Sequence, residues 1–294
     1  MRPLMLTCIG FALSAIVVKP IHAASYLKID SSPAAYGLTR SGKPVEVQDG
    51  MYLKAGDRVE IKNEGAHVQV VTGTGKLIPL EVPPGGKTLG AAELGGSTSE
   101  EKVSQTWKWA SDWLLQRIGA QTESVSNARI VQAASRAVGS GESLSIPMAN
   151  QGGLRMISQN KRPLVVAWSG GKGPFKIEIK NPEGTIVIRH DGAVENHFRF
   201  DAVSFTPGLY SLVVSDQIET IETPLTVVSR GNEPSEALKA TKSDQETLAG
   251  IIKLSTRQQG WAFESYQQAS LLSDRMPFAK VFTEALEIGD IPQP

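Results

Sequence analysis

The chain has 294 residues, of which 40% are hydrophobic, and 30 Lys plus Arg balance 30 Asp plus Glu, so the formal net charge is zero. Without a net positive field to attract phosphates, nucleic acid is excluded as the expected partner. One hydrophobic core usually serves about 100 to 200 residues, so this length predicts two or three modules. The 28 Gly and 17 Pro residues indicate the many turns that β modules require.

Residues 1–24 have the pattern of a secretory signal peptide, with a basic start and an apolar run over residues 4–18. A membrane-spanning helix needs about 20 apolar residues, and this run stops short at Lys19. An uncleaved anchor is the alternative. Cleavage is expected after Ala23 or Ser25.

Cys8 is the only cysteine and lies inside this segment, so the mature protein is predicted to have no thiol. The apolar stretch before Cys8 is too short for a lipoprotein acceptor site, and Thr7 is unsuited to one. An exported protein without disulfides must be held together by core packing, which favours the Gram-negative periplasm. We therefore expect a periplasmic protein with no transmembrane helix after cleavage.

Residues 25–85 are predicted to form a small β module, because short alternating runs are separated by turn residues. The clearest run is Arg58–Lys62, in which Val59 and Ile61 face inward. A turn is expected to connect this run to a strand at 67–71 and so to form a hairpin. A further turn and a strand at 76–82 predict a meander or small sandwich.

Residues 86–142 are predicted to be a linker that contains one helix. Its first part is rich in Gly and small polar residues, as linkers are. Ser99 is the expected N-cap, and the helix is expected to continue to Ile118 because no Gly or Pro interrupts it. Trp109 and Trp113 share one face, which indicates packing against the β module or, alternatively, a platform on which a ligand stacks.

Residues 143–230 are predicted to form an immunoglobulin-like sandwich of about seven short strands. The run Phe175–Lys180 alternates cleanly, and a turn at 181–184 returns the chain into a second alternating run at 185–190. Further strands are expected at residues 144–147, 154–158, 164–168, 209–215 and 225–228.

Residues 231–294 are predicted to form a helical pair or triplet, because the apolar spacing becomes helical after Pro234. Pro277 suits a helix start, and an apolar stripe follows it. Two earlier helices are expected at 237–256 and 261–273. The predicted fold class is therefore mainly β, and α+β overall.

The segment Gly86-Lys87-Thr88 matches the end of a phosphate-binding loop, in which backbone amides and a lysine bind phosphate oxygens. The complete motif is absent, because Glu81 occupies the position of the first glycine. The prolines at positions 83 and 84 also remove amide donors. No nucleotide or other cofactor is predicted.

Ser169 lies in a Trp-Ser-Gly-Gly sequence that imitates a nucleophile elbow. A catalytic elbow leads into a helix, whereas Pro174 and a predicted strand follow here. A serine nucleophile also needs a base, and neither His67 nor the two later histidines lie in a recognisable partner motif. Ser169 is therefore predicted to be a turn residue.

Four side chains suited to binding a zinc-like ion lie close together in the sequence, namely His190, Asp191, Glu195 and His197. Their spacing matches no helical or knuckle pattern of metal ligands. Asp191-Gly192 is instead expected to form a hairpin turn, with the histidines on neighbouring strand ends. No metal site is predicted.

The segment from Asp49 to Val59 resembles the periplasmic β domain of FecR-like proteins, in which a glycine-aspartate turn precedes a strand. In this chain that turn is Gly56-Asp57. FecR regulators sense an outer-membrane receptor and control a sigma factor through a cytoplasmic N-terminal part. The matching part is absent before the apolar run, so the resemblance implies a periplasmic interaction module without anti-sigma activity.

The predicted function is that of a non-catalytic periplasmic scaffold or sensor-like protein that binds a protein or an envelope polymer. One alternative is an envelope hydrolase that uses carboxylates such as Asp201, Asp216 or Glu219. Another is a glycan-binding module, which would need exposed tryptophans on one face. Converging acids in a deep cleft would favour the enzyme, and a shallow apolar surface would favour binding.

Overall fold

The computed structural model describes residues 25–73, 75–90, 93–94, 104–124, 143–159, 161–232, 234, 243–257 and 260–293, with backbone alone at 119–124 and 151. The predicted signal segment and the expected helix cap Ser99 lie outside these residues. In the described part of the chain, strands form four sheets and are accompanied by four α-helices. The predicted mainly β, α+β fold class is confirmed.

The N-terminal module is a sandwich of two four-stranded antiparallel sheets. The first sheet, in the order β4-β1-β6-β7, contains β1 (Ser25–Ile29), β4 (Tyr52–Leu53), β6 (Val68–Val71) and β7 (Leu77–Pro79). The second sheet, in the order β3-β2-β5-β8, contains β2 (Tyr36–Arg40), β3 (Lys43–Val45), β5 (Arg58–Ile61) and β8 (Lys87–Thr88). Leu27, Val59 and Val70 are fully buried between the sheets, where alternating apolar residues meet.

The hairpin predicted between residues 58–62 and 67–71 is wrong, although both strands exist. β5 pairs with β2 and β8, whereas β6 pairs with β1 and β7, so the chain crosses from one sheet to the other at residues 62–67. Alternation specifies a half-buried strand but not the sheet that receives it. The following hairpin, from β6 to β7, does form.

The N-terminal module also extends beyond residue 85 into the predicted linker. β8 pairs with β5, and Leu89 and Leu94 are buried in the module core. The hydroxyl of Ser25 donates to the backbone carbonyl of Leu94 at 2.9 Å, which fixes this segment to the first strand. Strand pairing and a few buried residues therefore attach residues 87–90 and 93–94 to the module, although the composition of this stretch is typical of a loop.

Helix α1 (Gln105–Ser124) connects the two halves of the molecule. Ser104 caps its start, because the Ser104 Oγ accepts a hydrogen bond from the Trp107 N–H at 3.1 Å. The helix continues past the predicted end at Ile118. Tyr26, on the outer face of the first sheet, donates from its hydroxyl to the Ser111 Oγ at 3.1 Å and so ties α1 to the N-terminal module.

The second sandwich follows a short 3-10 helix (Pro147–Gln151). Its larger sheet, in the order β12-β11-β14-β15-β9, contains β9 (Leu154–Ile157), β11 (Phe175–Lys180), β12 (Ile186–Ala193), β14 (Gly208–Ser215) and β15 (Thr220–Val228). The other sheet pairs β10 (Arg162–Ala167) with β13 (His197–Val203). Seven strands form over this range, in agreement with the predicted number.

Three local predictions for this sandwich are wrong. Residues 144–147 form no strand, and Ser145 makes only an isolated bridge to Ser169. The expected turn at Asp191-Gly192 lies inside β12, which continues to Ala193 because a bulge at Gly192 absorbs the glycine. β13 was not among the expected strands beyond the strand end placed at His197, although its first five residues alternate between polar and apolar.

The C-terminal region forms helices α2 (Asp244–Ser255), α3 (Trp261–Ser270) and α4 (Pro277–Glu287). In one helical cluster, α2 and α4 pack against α1, and α3 packs against α2 and α4. Trp107 and Trp113 of α1 contact Phe278 and Phe282 of α4 edge to face. Arg117 of α1 also donates two hydrogen bonds at 2.7 Å to the carboxylate of Asp290, just after α4. The chain therefore returns at its end to the helix that precedes the second sandwich.

Helix α3 covers the strand edges of the second sandwich through buried polar side chains. The Glu264 carboxylate, fully buried, accepts a hydrogen bond from the Ile157 N–H of β9 at 2.9 Å and two from the Arg162 guanidinium of β10. The Gln267 amide accepts from the N–H of Val165 and donates to its carbonyl, both at 2.8 Å. Gln267 thus pairs with β10 as a neighbouring strand would.

Candidate functional site

The structure gives Ser169 a role in a turn. Its backbone exchanges two hydrogen bonds of 2.9 Å with Ser145, and the two hydroxyl oxygens lie 2.7 Å apart. Gly170 and Gly171 follow with positive φ angles and lead into β11 without an intervening helix. Ser169 therefore lies in an isolated bridge at the start of a glycine-containing loop.

The four residues considered as metal ligands are directed to different partners. The His190 ring stacks on Phe198 with centroids 3.6 Å apart, and Asp191 pairs with Arg189 at 2.8 Å. The His197 Nε2 lies 3.3 Å from a carboxylate oxygen of Glu195. Among the residues that the structure describes, no group of three or more His, Cys, Asp or Glu side chains is placed to hold a metal ion.

Two of the carboxylates considered for glycoside hydrolysis stabilise loops. The Asp216 carboxylate accepts hydrogen bonds from the N–H groups of Lys172, Ile218 and Glu219 at 2.6 to 2.7 Å. Partial burial would raise the pKa of Asp216, but these amide hydrogen bonds outweigh burial and lower it below its usual value. Glu219 accepts from the backbone N–H of Leu144, and Asp201 lies exposed on β13.

The tryptophans form no ligand platform. All five lie in the described part of the chain; Trp107, Trp168 and Trp261 are buried, and the other two are half-buried against the helical core. The guanidinium carbon of Arg117 lies 3.4 Å from the centre of the Trp113 ring and covers it. Trp109 and Trp113 pack against a hydrophobic core as expected, but the ring contact of Trp113 is with Phe282 of α4 and not with the β module.

An open groove lies at one end of the N-terminal sandwich, with a volume of about 1190 Å³. Its floor contains Ile61 from the second sheet and Val68 and Leu80 from the first, so it opens between the two layers. Half-buried Val82 and two exposed prolines, at positions 79 and 83, extend the apolar surface. Four ionisable side chains also line the groove: Asp30, His67, Glu81 and Lys87.

Asp30 is held in place from three directions. Its Oδ1 accepts hydrogen bonds from the Tyr36 hydroxyl at 2.5 Å, from the His67 backbone N–H at 2.9 Å and from the Ser31 hydroxyl at 3.2 Å. Desolvation would raise the pKa of Asp30, but these hydrogen bonds, first that from Tyr36, lower it overall. Within the described residues, Oδ2 accepts no hydrogen bond, so one oxygen of a fixed, ionised carboxylate remains available to a ligand.

The segment Gly86-Lys87-Thr88 borders this groove but does not form a phosphate cradle. The Gly86 N–H donates to the carbonyl of Pro83 at 2.9 Å, and Lys87 pairs with Val59 of β5 in the sheet. The Lys87 ammonium lies 3.5 Å from a carboxylate oxygen of Glu93. The Gly86 N–H and the Lys87 charge are thus already engaged within the module.

The residues of the glycine-aspartate turn are structural. Asp57 is buried, and its carboxylate accepts two hydrogen bonds from Arg40, at 2.9 and 2.7 Å, and one from the Lys54 N–H at 2.8 Å. The pKa of the Arg40 guanidinium is raised, mainly by its hydrogen bond to Asp57. Gly56 adopts a φ of +89°, which favours glycine, so this sequence is needed to build the turn before β5.

Neither the groove nor the polar contacts of α3 were predicted from the sequence. The groove is lined by residues from five separate segments of the chain, and none of these segments forms a short motif. For the contacts of α3, one signal was present: Arg162 begins an apolar strand, and Glu264 and Gln267 lie three positions apart on one face of the helix. Paired buried polar groups of this kind indicate an interaction between elements.

No family model and no curated protein matches the chain. Solved structures that match include the crystal structure of CopC from Methylosinus trichosporium OB3b, with 19% identity over 28% of this chain and 90% of that chain, at a TM-score of 0.21. At this TM-score, the likeness supports no conclusion about fold or function. In the described residues, no helix is long and apolar enough to span a membrane.

Proposed function

We propose that this chain is a non-catalytic interaction protein of the bacterial periplasm, exported by its N-terminal segment, that binds a protein or an envelope polymer in the groove of the N-terminal sandwich. The observation that carries this proposal is the open groove between the sheets, with an apolar floor and charged side chains along its rim. An apolar concave surface with a few fixed polar groups is the usual form of a binding site.

The FecR-like character of the N-terminal module is part of this proposal. The motif residues Gly56 and Asp57 build the turn that leads into β5, and Ile61 at the end of β5 lies in the groove. A protein-sensing module of that kind needs a surface for its partner, and the groove provides one. The proposal includes no anti-sigma activity.

The hydrolase alternative is not favoured by the arrangement of its carboxylates. Asp216 and Glu219 accept backbone hydrogen bonds, and such carboxylates stabilise loops in proteins of every function. Glycosidases instead place two carboxyl groups on either side of the scissile bond, about 5 to 10 Å apart across a cleft.

Site-specific photo-crosslinking in the exporting cell tests the proposal. The photoreactive residue p-benzoylphenylalanine replaces Thr88, which is exposed in the groove, and in a control replaces Glu183, which is exposed in a turn of the second sandwich. We expect a discrete crosslinked product from position 88 and none from position 183. Equal products from both positions, or turnover of cell-wall glycan by the purified protein, would contradict the proposal.

A further inference from the structure

The groove has an excess of negative charge. Lys87 is already paired with Glu93, so these two charges offset one another. Asp30 and Glu81 line the groove and form no ion pair with a lysine or arginine within the described residues, although the neighbouring His67 contributes to lowering the pKa of Asp30. The hydrogen bonds to Asp30 hold it ionised and fix its position, so its charge is preorganised for a cation.

The floor of the groove adds a second requirement. Ile61, Val68 and Leu80 offer apolar contact between the two sheets, and the described lining includes no Trp, Tyr or Phe on which a sugar ring would stack. The negative rim disfavours phosphate-rich polymers. A ligand that satisfies both floor and rim carries positive charges and apolar groups close together.

The strand edges that border the groove are poorly suited to adding a further strand. Pro79 lies in β7, where it removes a backbone donor, and β8 has only two residues, Lys87 and Thr88. A bound chain must therefore be recognised chiefly by its side chains. This requirement distinguishes the groove from sites that extend a sheet.

We propose that the groove binds an extended polypeptide segment in which basic side chains alternate with apolar ones. The apolar side chains lie on the floor formed by Ile61, Val68 and Leu80, and a basic side chain pairs with the Oδ2 of Asp30 and with Glu81. This inference rests on the proposed function, because it names the class of ligand that occupies the same groove.

Fluorescence anisotropy with three dye-labelled heptapeptides tests this ligand class. The probes alternate valine with lysine, with serine or with glutamate, so the charge changes while the apolar spacing stays the same. We expect the lysine peptide to bind on the order of fivefold more tightly than the serine peptide, with less difference at high salt. The glutamate peptide is expected to bind least.

The matched variants are Glu81→Lys in the groove and Glu183→Lys in the exposed turn of the second sandwich, which change net charge equally. Glu81→Lys is expected to weaken lysine-peptide binding on the order of fivefold, and Glu183→Lys to leave it unchanged. Thermal melts of both variants confirm folding. Equal losses in both variants, or equal binding of all three peptides, would overturn the inference.

Three further outcomes separate this inference from the proposed function. If position 88 crosslinks a partner while the peptides show no charge preference, the groove binds a partner but the cationic class is wrong. Spermidine is a polycation without apolar side chains. If it displaces the labelled lysine peptide as effectively as the unlabelled peptide does, the floor plays no part and the ligand is a small cation. If position 88 gives no crosslinked product, the proposed function itself is contradicted.

Discussion

Asp30 shows how a single exposed carboxylate acquires a fixed position. It follows β1 at the mouth of the groove and accepts hydrogen bonds from Tyr36 and from the backbone N–H of His67. The Tyr36 hydroxyl also lies 2.9 Å from the His67 carbonyl. A short polar network therefore joins the end of β1, the start of β2 and the crossing between the two sheets, and it fixes the rim of the groove.

Replacing Asp30 by Asn is expected to lower the free energy of unfolding at neutral pH by about 1 kcal/mol, the usual value of one such hydrogen bond. The pKa of Asp30 is lowered in the folded state from an ordinary value of 3.8. Stability from the ionised form is therefore fully present above that value and is lost as the pH falls through the lower folded pKa. Urea denaturation at several pH values measures the difference.

In that experiment the Glu183→Gln variant controls for the loss of one exposed negative charge. The gap between wild type and Asp30→Asn is expected to close in acid. A gap that widens as the pH falls from about 6 to about 3 would show that the carboxylate is not stabilised in its ionised form.

At the scale of elements, sequence predicted which segments become strands and helices better than it predicted their partners. The alternation in Phe175–Lys180 corresponds to β11 residue for residue, because both flanks end in turns. The strands at 58–61 and 68–71 were also predicted, but their assignment to separate sheets depends on burial between layers that no local pattern records. β13 was missed although His197, Arg199 and Asp201 alternate with its apolar residues, so the strand signal was present in the sequence.

The candidate site was less predictable than the fold for the same reason. Thr88 and Asp30 lie far apart in the sequence, and they line the same groove only because the two sheets stack. Lys87 was noticed as part of a phosphate motif, although its role is to pair with Glu93 beside the groove. Local sequence identifies residue types, whereas a groove between sheets arises from long-range packing.

Helix α3 approaches the second sandwich so closely that the N-cap position just before it requires glycine. Gly260 has a φ of +82° just before α3, and a Cβ there would collide with the backbone of Gly153, including its carbonyl carbon at 2.8 Å. The Arg155 N–H donates to the Gly260 carbonyl at 3.0 Å, which joins this position to β9. Neither backbone segment can move aside as a flexible side chain would.

Gly260→Ala is compared with Gly184→Ala, because Gly184 has a similar φ of +78° but no atom near the position of an added Cβ. Both variants lose about 1–2 kcal/mol from the left-handed backbone conformation. Gly260→Ala is expected to lose about 1–3 kcal/mol more through overpacking against β9. Equal losses, measured by chemical denaturation, would show that α3 does not pack tightly on the sandwich.

At the scale of the whole molecule, the helical cluster contacts both sandwiches. α3 lies on β9 and β10, while the turn at Gly75 in the N-terminal module lies against the start of α4. A Cβ at Gly75 would lie 2.7 Å from the backbone nitrogen of Phe278, which is fully buried. The sandwiches are therefore coupled through helices from the middle and the end of the chain.

Gly75→Ala tests this coupling, with Gly65→Ala as its control. Both glycines have positive φ angles, of +93° and +83°, but only Gly75 has close neighbours. We expect Gly75→Ala to be less stable by about 1–3 kcal/mol than the control. Hydrogen exchange of Pro277–Glu287 is expected to increase in Gly75→Ala alone, and unchanged exchange there would contradict direct contact between the module and α4.

The buried contacts of Glu264 and Gln267 also limit when the chain becomes fully folded. A nascent chain that ends after β15 has made every strand of the second sandwich but lacks the partners of Ile157, Arg162 and Val165. Its unpaired backbone groups leave it short of the native state until translation is nearly complete. A precursor that cannot finish folding early stays unfolded for longer, so late closure by α3 would be compatible with the export proposed for this chain.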